Sequence, residues 1–196
     1  MTAPGALTDW VGRSQTLHEV LGPTPARALA ATLDRDDEFA AGAALPPLWH
    51  WLYFLPLARA CGLGPDGHAR RGGFLPPVAL PRRMWAGGRF EFGAALRIGD
   101  TVRRVSTIED VQEKTGRSGA LVFVTVRHEC TRAGDAVPAL VEWHDIVYRE
   151  APRAGAAAPG ALAAPADARW QRRLVPDEVL LFRYSALTFN GHRIHY

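Results

Sequence analysis

At 196 residues the chain has room for one large domain, or for one of common size and the beginning of another. Its 47% hydrophobic content is that of a globular protein, and no uncharged apolar run of about 18 residues or more is present to cross a bilayer. The formal charge of +3 comes from scattered basic residues, with Lys114 the only lysine. No basic stripe with interleaved aromatics offers a nucleic-acid groove, whereas arginines suit a phosphorylated or CoA-type ligand. Neither a nucleic-acid nor a membrane partner is expected.

The N-terminus, "MTAPGALTDW", lacks a basic region followed by an apolar stretch, so it does not read as a secretory signal and implies a cytosolic setting. Thr16 and Glu19 have capping-box spacing, and Thr24 before Pro25 reads as an N-cap with proline at the first helical position. Ala26, Leu29, Ala30 and Leu33 then recur at i, i+3, i+4 and i+7, predicting a helix with one apolar face that ends near Asp34. The aromatic stretch "ALPPLWHWLYFLPLARACGLG" follows, and Trp49, Trp51, Tyr53 and Phe54 predict core or a subunit contact. His50 within it is read as a buried, hydrogen-bonded histidine, and Cys61 and Cys130 as buried small residues outside any metal or disulfide spacing.

Residues 67–88, rich in Gly and Pro with two Arg pairs, predict an extended loop with turns. Strand patterns occupy the chain from there on. "RFEF" alternates, and "TVRRVSTIEDVQEK" is β-branched up to a turn at "TGRSG". "ALVFVTVRHEC" suits a strand buried on both faces, and "TRAGD" turns into "PALVEWHDIVYRE". Four strands with short connections predict an antiparallel meander. A sheet wrapped around one apolar helix is the economical arrangement, an α+β organisation that resembles the hotdog fold.

Residues 151–168 are almost all Ala, Pro and Gly and read as a linker between a first module, 1–150, and a second piece, 169–196. In that piece Asp177 after Pro176 is an N-cap, followed by Val179, Phe182 and Ala186 at helical spacing, with the helix ending near Asn190. It repeats the start of the first module, so the second piece is expected to open a second hotdog.

The segments "RYSALTFNGHRIHY", "PPLWHWLYF", "GGFLPPVALPRRMWAGG" and "LVFVTVRHE" resemble the MaoC-like, or hydratase-2, double-hotdog family. Within it they are most similar to the mesaconyl-C4-CoA (3-methylfumaryl-CoA) hydratases and the mitochondrial-type 3-hydroxyacyl-thioester dehydratases. The resemblance implies a hydro-lyase acting on an acyl-CoA or acyl-ACP thioester without a cofactor, converting mesaconyl-C4-CoA to citramalyl-CoA. Straight-chain (3R)-3-hydroxyacyl-thioester dehydration is the alternative, and a non-catalytic acyl-binding or assembly hotdog the reading from another class. The family motif ends a helix in an acidic residue with a histidine five places later. Here Asn190 takes the acidic position and His195 the histidine. His195 is thereby the expected base for water, while Asn190 can orient but not ionise.

Tyr184, His192 and Arg193 are candidate substrate contacts, the last two equally readable as loop supports. Arg82 and Arg83 are candidate contacts for CoA phosphates or structural ion-pair members. A metal reading of His192 with His195 lacks a third ligand, so no metal is expected. The first module has no comparable pair, since Asp34 and Asp36 are followed five places on by Phe39 and Ala41. A homodimer or larger homo-oligomer is expected, because a lone hotdog leaves a sheet edge open.

Overall fold

The computed structural model describes residues 6–116, 119–151 and 162–195. The chain runs through β1 (Ser14–Val20), α1 (Pro23–Thr32), β2 (Arg82–Phe92), β3 (Thr101–Gly116), β4 (Gly119–Arg132), β5 (Leu140–Arg149) and α2 (Glu178–Leu187). All strand pairs are antiparallel, in the order β1-β3-β4-β5-β2.

β3, β4 and β5 form the expected meander, but β2 does not lie beside β3. It crosses to the far side of β5, pairing Arg83 with Tyr148 and Phe90 with Glu142. The loop expected over 67–88 is therefore strand from Arg82 onward. Thr16 and Glu19 do not cap a helix: β1 pairs along the free edge of β3, and the Glu19 carboxylate accepts the Phe54 amide instead. Capping signals are local, and the edge offered by β3 outweighs them. α1 starts at Pro23 behind Gly22, and it buries the expected Ala26, Leu29 and Ala30. β4 is buried on one face only: Val122, Val124 and Val126 are inside, and the residues between them are half-buried. Residues 152–161 of the expected linker, and 117–118 of the turn before β4, lie outside the described residues.

Two bulges interrupt the ladder one residue pair apart. One interrupts β2 between Trp85 and Gly87, the other β3 between Ile108 and Asp110. Each adds a residue to one strand, so inward-facing positions switch parity there. In β3 the inner face carries Val102 and Ile108 before the bulge and Val111 after it.

Two apolar clusters occupy the inner face. One gathers α1, Trp49, Leu52, Tyr53, Phe54, Val102 and Cys130; the other gathers Val78, Ile108, Val124, Ile146 and Tyr148. Cys130 is buried as expected, and burial pushes its thiol up to about 12. Cys61 is exposed, contrary to expectation, on a short turn outside both clusters. Trp51 likewise stays 36% exposed.

A polar band from three strands separates the clusters. His50 is buried and hydrogen-bonded as its sequence setting suggested: its Nε2 meets Glu142 Oε2 at 2.9 Å, and Trp51 Nε1 donates to Oε1 at 3.0 Å. Burial pushes the Glu142 carboxyl up, but the His50 hydrogen bond and nearby positive charge outweigh it and hold the group below the usual range. Ser106 Oγ and His128 Nδ1 lie 2.7 Å apart.

Burial, followed by the charge of Arg104, drives His128 down from 6.5 to about 3. The unfolded chain therefore binds a proton that the folded chain refuses between those values. The stability this histidine contributes is fully present above about 6.5 and is lost as pH falls toward about 3. Burial also lowers His68 and His144, which adds to the effect. We expect the urea midpoint to fall through this window with a His128 share of up to ~1.4 kcal/mol per pH unit. His128→Gln should flatten the slope, and an unchanged slope would remove His128 as its source.

Candidate active site

The expected site residues sit where α2 gives way to a short turn. Asp177 caps α2, accepting the Leu180 amide at 2.7 Å. The helix ends at Leu187, three residues earlier than expected, because Phe189 takes a positive φ of 51° that a helix cannot continue through. Asn190 N–H then reaches back to Ser185 O at 2.8 Å, and Arg193–His195 form one 3₁₀ turn. The expected apolar face of α2 is not buried: Val179 and Phe182 are 59% and 73% exposed, and Ser185 and Leu187 face the body instead.

Asn190 and His195 come together as the family motif implies, with Asn190 Nδ2 at 3.2 Å from His195 Nε2. The hydrogen-bond directions follow by elimination. His192 N–H can only donate, and it donates to Asn190 Oδ1 at 3.1 Å, so the amide turns its NH2 toward the imidazole. Nε2 must then be the acceptor nitrogen, and Nδ1 carries the hydrogen. Nδ1 lies 3.2 Å from Ser185 Oγ, whose own hydrogen goes to Leu181 O at 2.7 Å. The relay Leu181 O, Ser185, His195, Asn190 thus fixes one neutral tautomer with its lone pair on Nε2.

Ser185 was not anticipated. Its signal is faint but real: it lies five residues before Asn190 on a helix whose last turn must face the following loop.

The turn holding His195 docks on residues 64–68, in the segment before β2. Asp66 O accepts Arg193 N–H at 2.9 Å, and the His68 and His192 rings stand 4.3 Å apart. Asp66 Oδ2 holds His68 Nδ1 at 3.1 Å. Gly67 has φ +86°, and a Cβ built on it would lie 1.9 Å from Gly191 O, so only glycine fits between the two loops. None of these contacts has a local sequence signal, since they join distant parts of the chain.

His192 therefore does have neighbours of metal-ligand type, but they are Asp66 and His68 rather than His195; donor atoms of the three lie within 4.8 Å of one another. The positive charge of Arg83 acts on both Asp66 and His68, which weighs against a cation there.

The two arginines treated together in the sequence are parted by the strand. Arg82 is exposed on the outer face of β2, whereas Arg83 is half-buried on the inner face beside Tyr148. Neither pairs with a carboxylate within 4.0 Å among the described residues, so the ion-pair alternative is not realised there. The Arg193 side chain is exposed, and Tyr184, raised in pKa by burial, makes no side-chain hydrogen bond among the described residues.

Among known proteins, the chain is 47% identical over 190 residues to a mesaconyl-C(4)-CoA hydratase of Chloroflexus aurantiacus. That match takes in 95% of this chain and 66% of the relative, so the chain spans just under two thirds of the relative's length. A MaoC-like dehydratase of known structure superposes with a TM-score of 0.64 at 12% identity, over 97% of this chain and 70% of that one. HtdX of Mycobacterium tuberculosis does so with a TM-score of 0.56 at 18% identity, over 93% and 64%. At these identities the likeness carries the fold, which is the α+β hotdog. Among the described residues no helix is long and apolar enough to cross a membrane. The profile of hydroxyacyl-thioester dehydratase type 2 matches residues 48–196, which takes in both the aromatic stretch and the His195 turn; the chain belongs to that family.

Proposed function

We propose that the chain supplies the water-handling residues of a hydro-lyase acting on enoyl thioesters. The observation that carries this reading is the fixed tautomer of His195, its ring held at Nδ1 by Ser185 and at Nε2 by Asn190 with the lone pair on Nε2. In hydration the water displaces the Asn190 amide from the one lone pair of His195 Nε2, and Nε2 takes a proton from it as the water oxygen bonds to the β-carbon. The double-bond electron pair shifts toward the thioester oxygen, and the imidazolium returns its proton to the α-carbon. Atoms and charge balance without cofactor or redox partner, and dehydration is the reverse. Asn190 cannot ionise, so both proton transfers rest on His195 while the amide orients it.

The substrate best supported is mesaconyl-C4-CoA, yielding citramalyl-CoA, because the 47% identical relative carries that name. The family description favours a second reading, dehydration of straight-chain (3R)-3-hydroxyacyl thioesters on CoA or a carrier protein. His192 and Tyr184 would border the acyl group, and the exposed Arg193 and Arg82 would meet CoA phosphates. β1 and β2 form the sheet's edges, and pairing of one with a second copy would make a homodimer or larger homo-oligomer. A panel of enoyl-CoA thioesters, followed by chromatography of the hydrated products, tests the reading. We expect mesaconyl-C4-CoA to be hydrated faster than crotonyl-CoA; the reverse order would favour the second reading, and no hydration of any would end both.

A further inference from the structure

Mesaconyl-C4-CoA differs from a simple enoyl thioester in bearing a free carboxylate on the same carbon that receives the hydroxyl. Any group that binds this carboxylate must therefore flank the water-activating histidine. It must also replace the water that the anion loses on entering the site.

One place in the first module meets both demands. Arg83 points to the inner face of β2, half-buried, with no carboxylate within 4.0 Å among the described residues. Directly across the strand pair is Tyr148, 0% exposed, whose hydroxyl has no hydrogen-bond partner among the described residues. Arg83 approaches that hydroxyl closely enough to ease its ionisation against the burial that raises it, without completing a hydrogen bond.

A second guanidinium lies behind. Arg71 stands 5.3 Å from the Tyr148 ring and is held by the carbonyls of Val78, Leu80 and Pro81, so its charge too is left without an acid. Two unneutralised cations and an orphaned buried hydroxyl in one corner form an arrangement that costs stability unless an anion completes it. The corner also adjoins the His195 turn. Arg71 follows His68 by three residues in the same loop, the charge of Arg83 acts on Asp66 and His68, and those two residues touch Arg193 and His192.

We propose that Arg83 and the Tyr148 hydroxyl, backed by Arg71, form an anion subsite that receives the free carboxylate of a dicarboxylic acyl thioester at the β-carbon. The proposal rests on the enoyl-thioester reading above. It assigns Arg83 to the acyl end of the substrate and leaves CoA phosphates to exposed arginines. A straight-chain enoyl thioester would leave the subsite unfilled, so the corner selects for dicarboxylic substrates.

The same chemistry could come from a CoA phosphate, and a matched pair of ligands separates the two sources. 3-Methylcrotonyl-CoA is mesaconyl-C4-CoA with the carboxylate replaced by methyl; the CoA portion is identical. Titration calorimetry on this chain should give a dissociation constant about 10- to 100-fold lower for the carboxylate ligand, the range of a charge-assisted pair. Arg83→Met should bring the ratio of the two constants close to one, and Arg83→Lys should leave it between. Tyr148→Phe should reduce the ratio while leaving the urea midpoint unchanged or higher, since it removes an unpaired buried hydroxyl.

A wild-type ratio near one, or binding of neither ligand, overturns the subsite. Equal weakening of both ligands by Arg83→Met assigns the residue to a CoA phosphate and also overturns it. Strong discrimination without hydration of either ligand would sink the hydro-lyase reading and leave the subsite standing.

Discussion

Replacing His195 by alanine is expected to lower kcat for hydration by about 10²- to 10⁴-fold, the usual contribution of a placed general acid/base, with a much smaller change in KM. In the proposed mechanism the imidazole carries both proton transfers, because Asn190 offers no second ionisable group. The geometry also orders the neighbouring variants. Ser185→Ala removes the acceptor that holds Nδ1–H, at 3.2 Å, and should cost less than His195→Ala, since Asn190 still faces Nε2. Asn190→Asp should reverse the tautomer: a carboxylate facing Nε2 demands a hydrogen there, and the Ser185 hydroxyl would have to turn from Leu181 O toward Nδ1. Initial rates of water addition for the three variants test the series. A His195→Ala variant within tenfold of wild type would remove His195 as the base.

The second large effect is expected from a residue with no side chain. Gly67→Ala places a methyl group 1.9 Å from Gly191 O, at a φ of +86° that disfavours any Cβ. The Gly191 atoms it meets are backbone, so relief requires one loop to move away from the other. The turn at residues 64–68 contributes almost nothing to either apolar cluster, and the sheet should survive the change. What moves is the seat of Arg193–His195, and a displacement near 1 Å at a catalytic group costs on the order of 10²-fold in rate. We expect a loss of kcat/KM of that order while the urea midpoint of the sheet shifts little. A variant with full activity would show that the docking of the two loops does not position His195.

How much of this was legible in the residues follows from the range of each interaction. α1, the meander of β3 to β5 and the Asp177 cap are written in spacings of a few positions, whereas the Asn190–His195 pairing is legible only through the family motif that the tail resembles. β1 was misread because Thr16 and Glu19 satisfy a local helix-start pattern while the partner that makes them a strand lies in β3. β2 was partly missed because its glycines imitate a loop, and its pairing partner lies about fifty residues or more further along the chain. In the site, Ser185 was open to discovery from helical spacing. Asp66, Gly67 and His68 were not, since nothing near them in sequence announces the turn they meet. Val179 and Phe182 show the converse error: periodicity identified a face of α2 without identifying what it faces.

The paired bulges bear on how this sheet tolerates change. Arg83 and Phe90 sit at odd and even positions of one strand, yet both oppose inward residues of β5, Tyr148 and Glu142. A regular strand cannot do this; the extra residue between Trp85 and Gly87 makes it possible. The strand is in effect two reading frames joined at Ala86, one addressed to the guanidinium corner and one to the polar band. Point substitutions can vary either frame alone, whereas a one-residue insertion or deletion anywhere between them rotates one half of the strand out of register with its purpose. Length, more than composition, is what selection must guard in this segment.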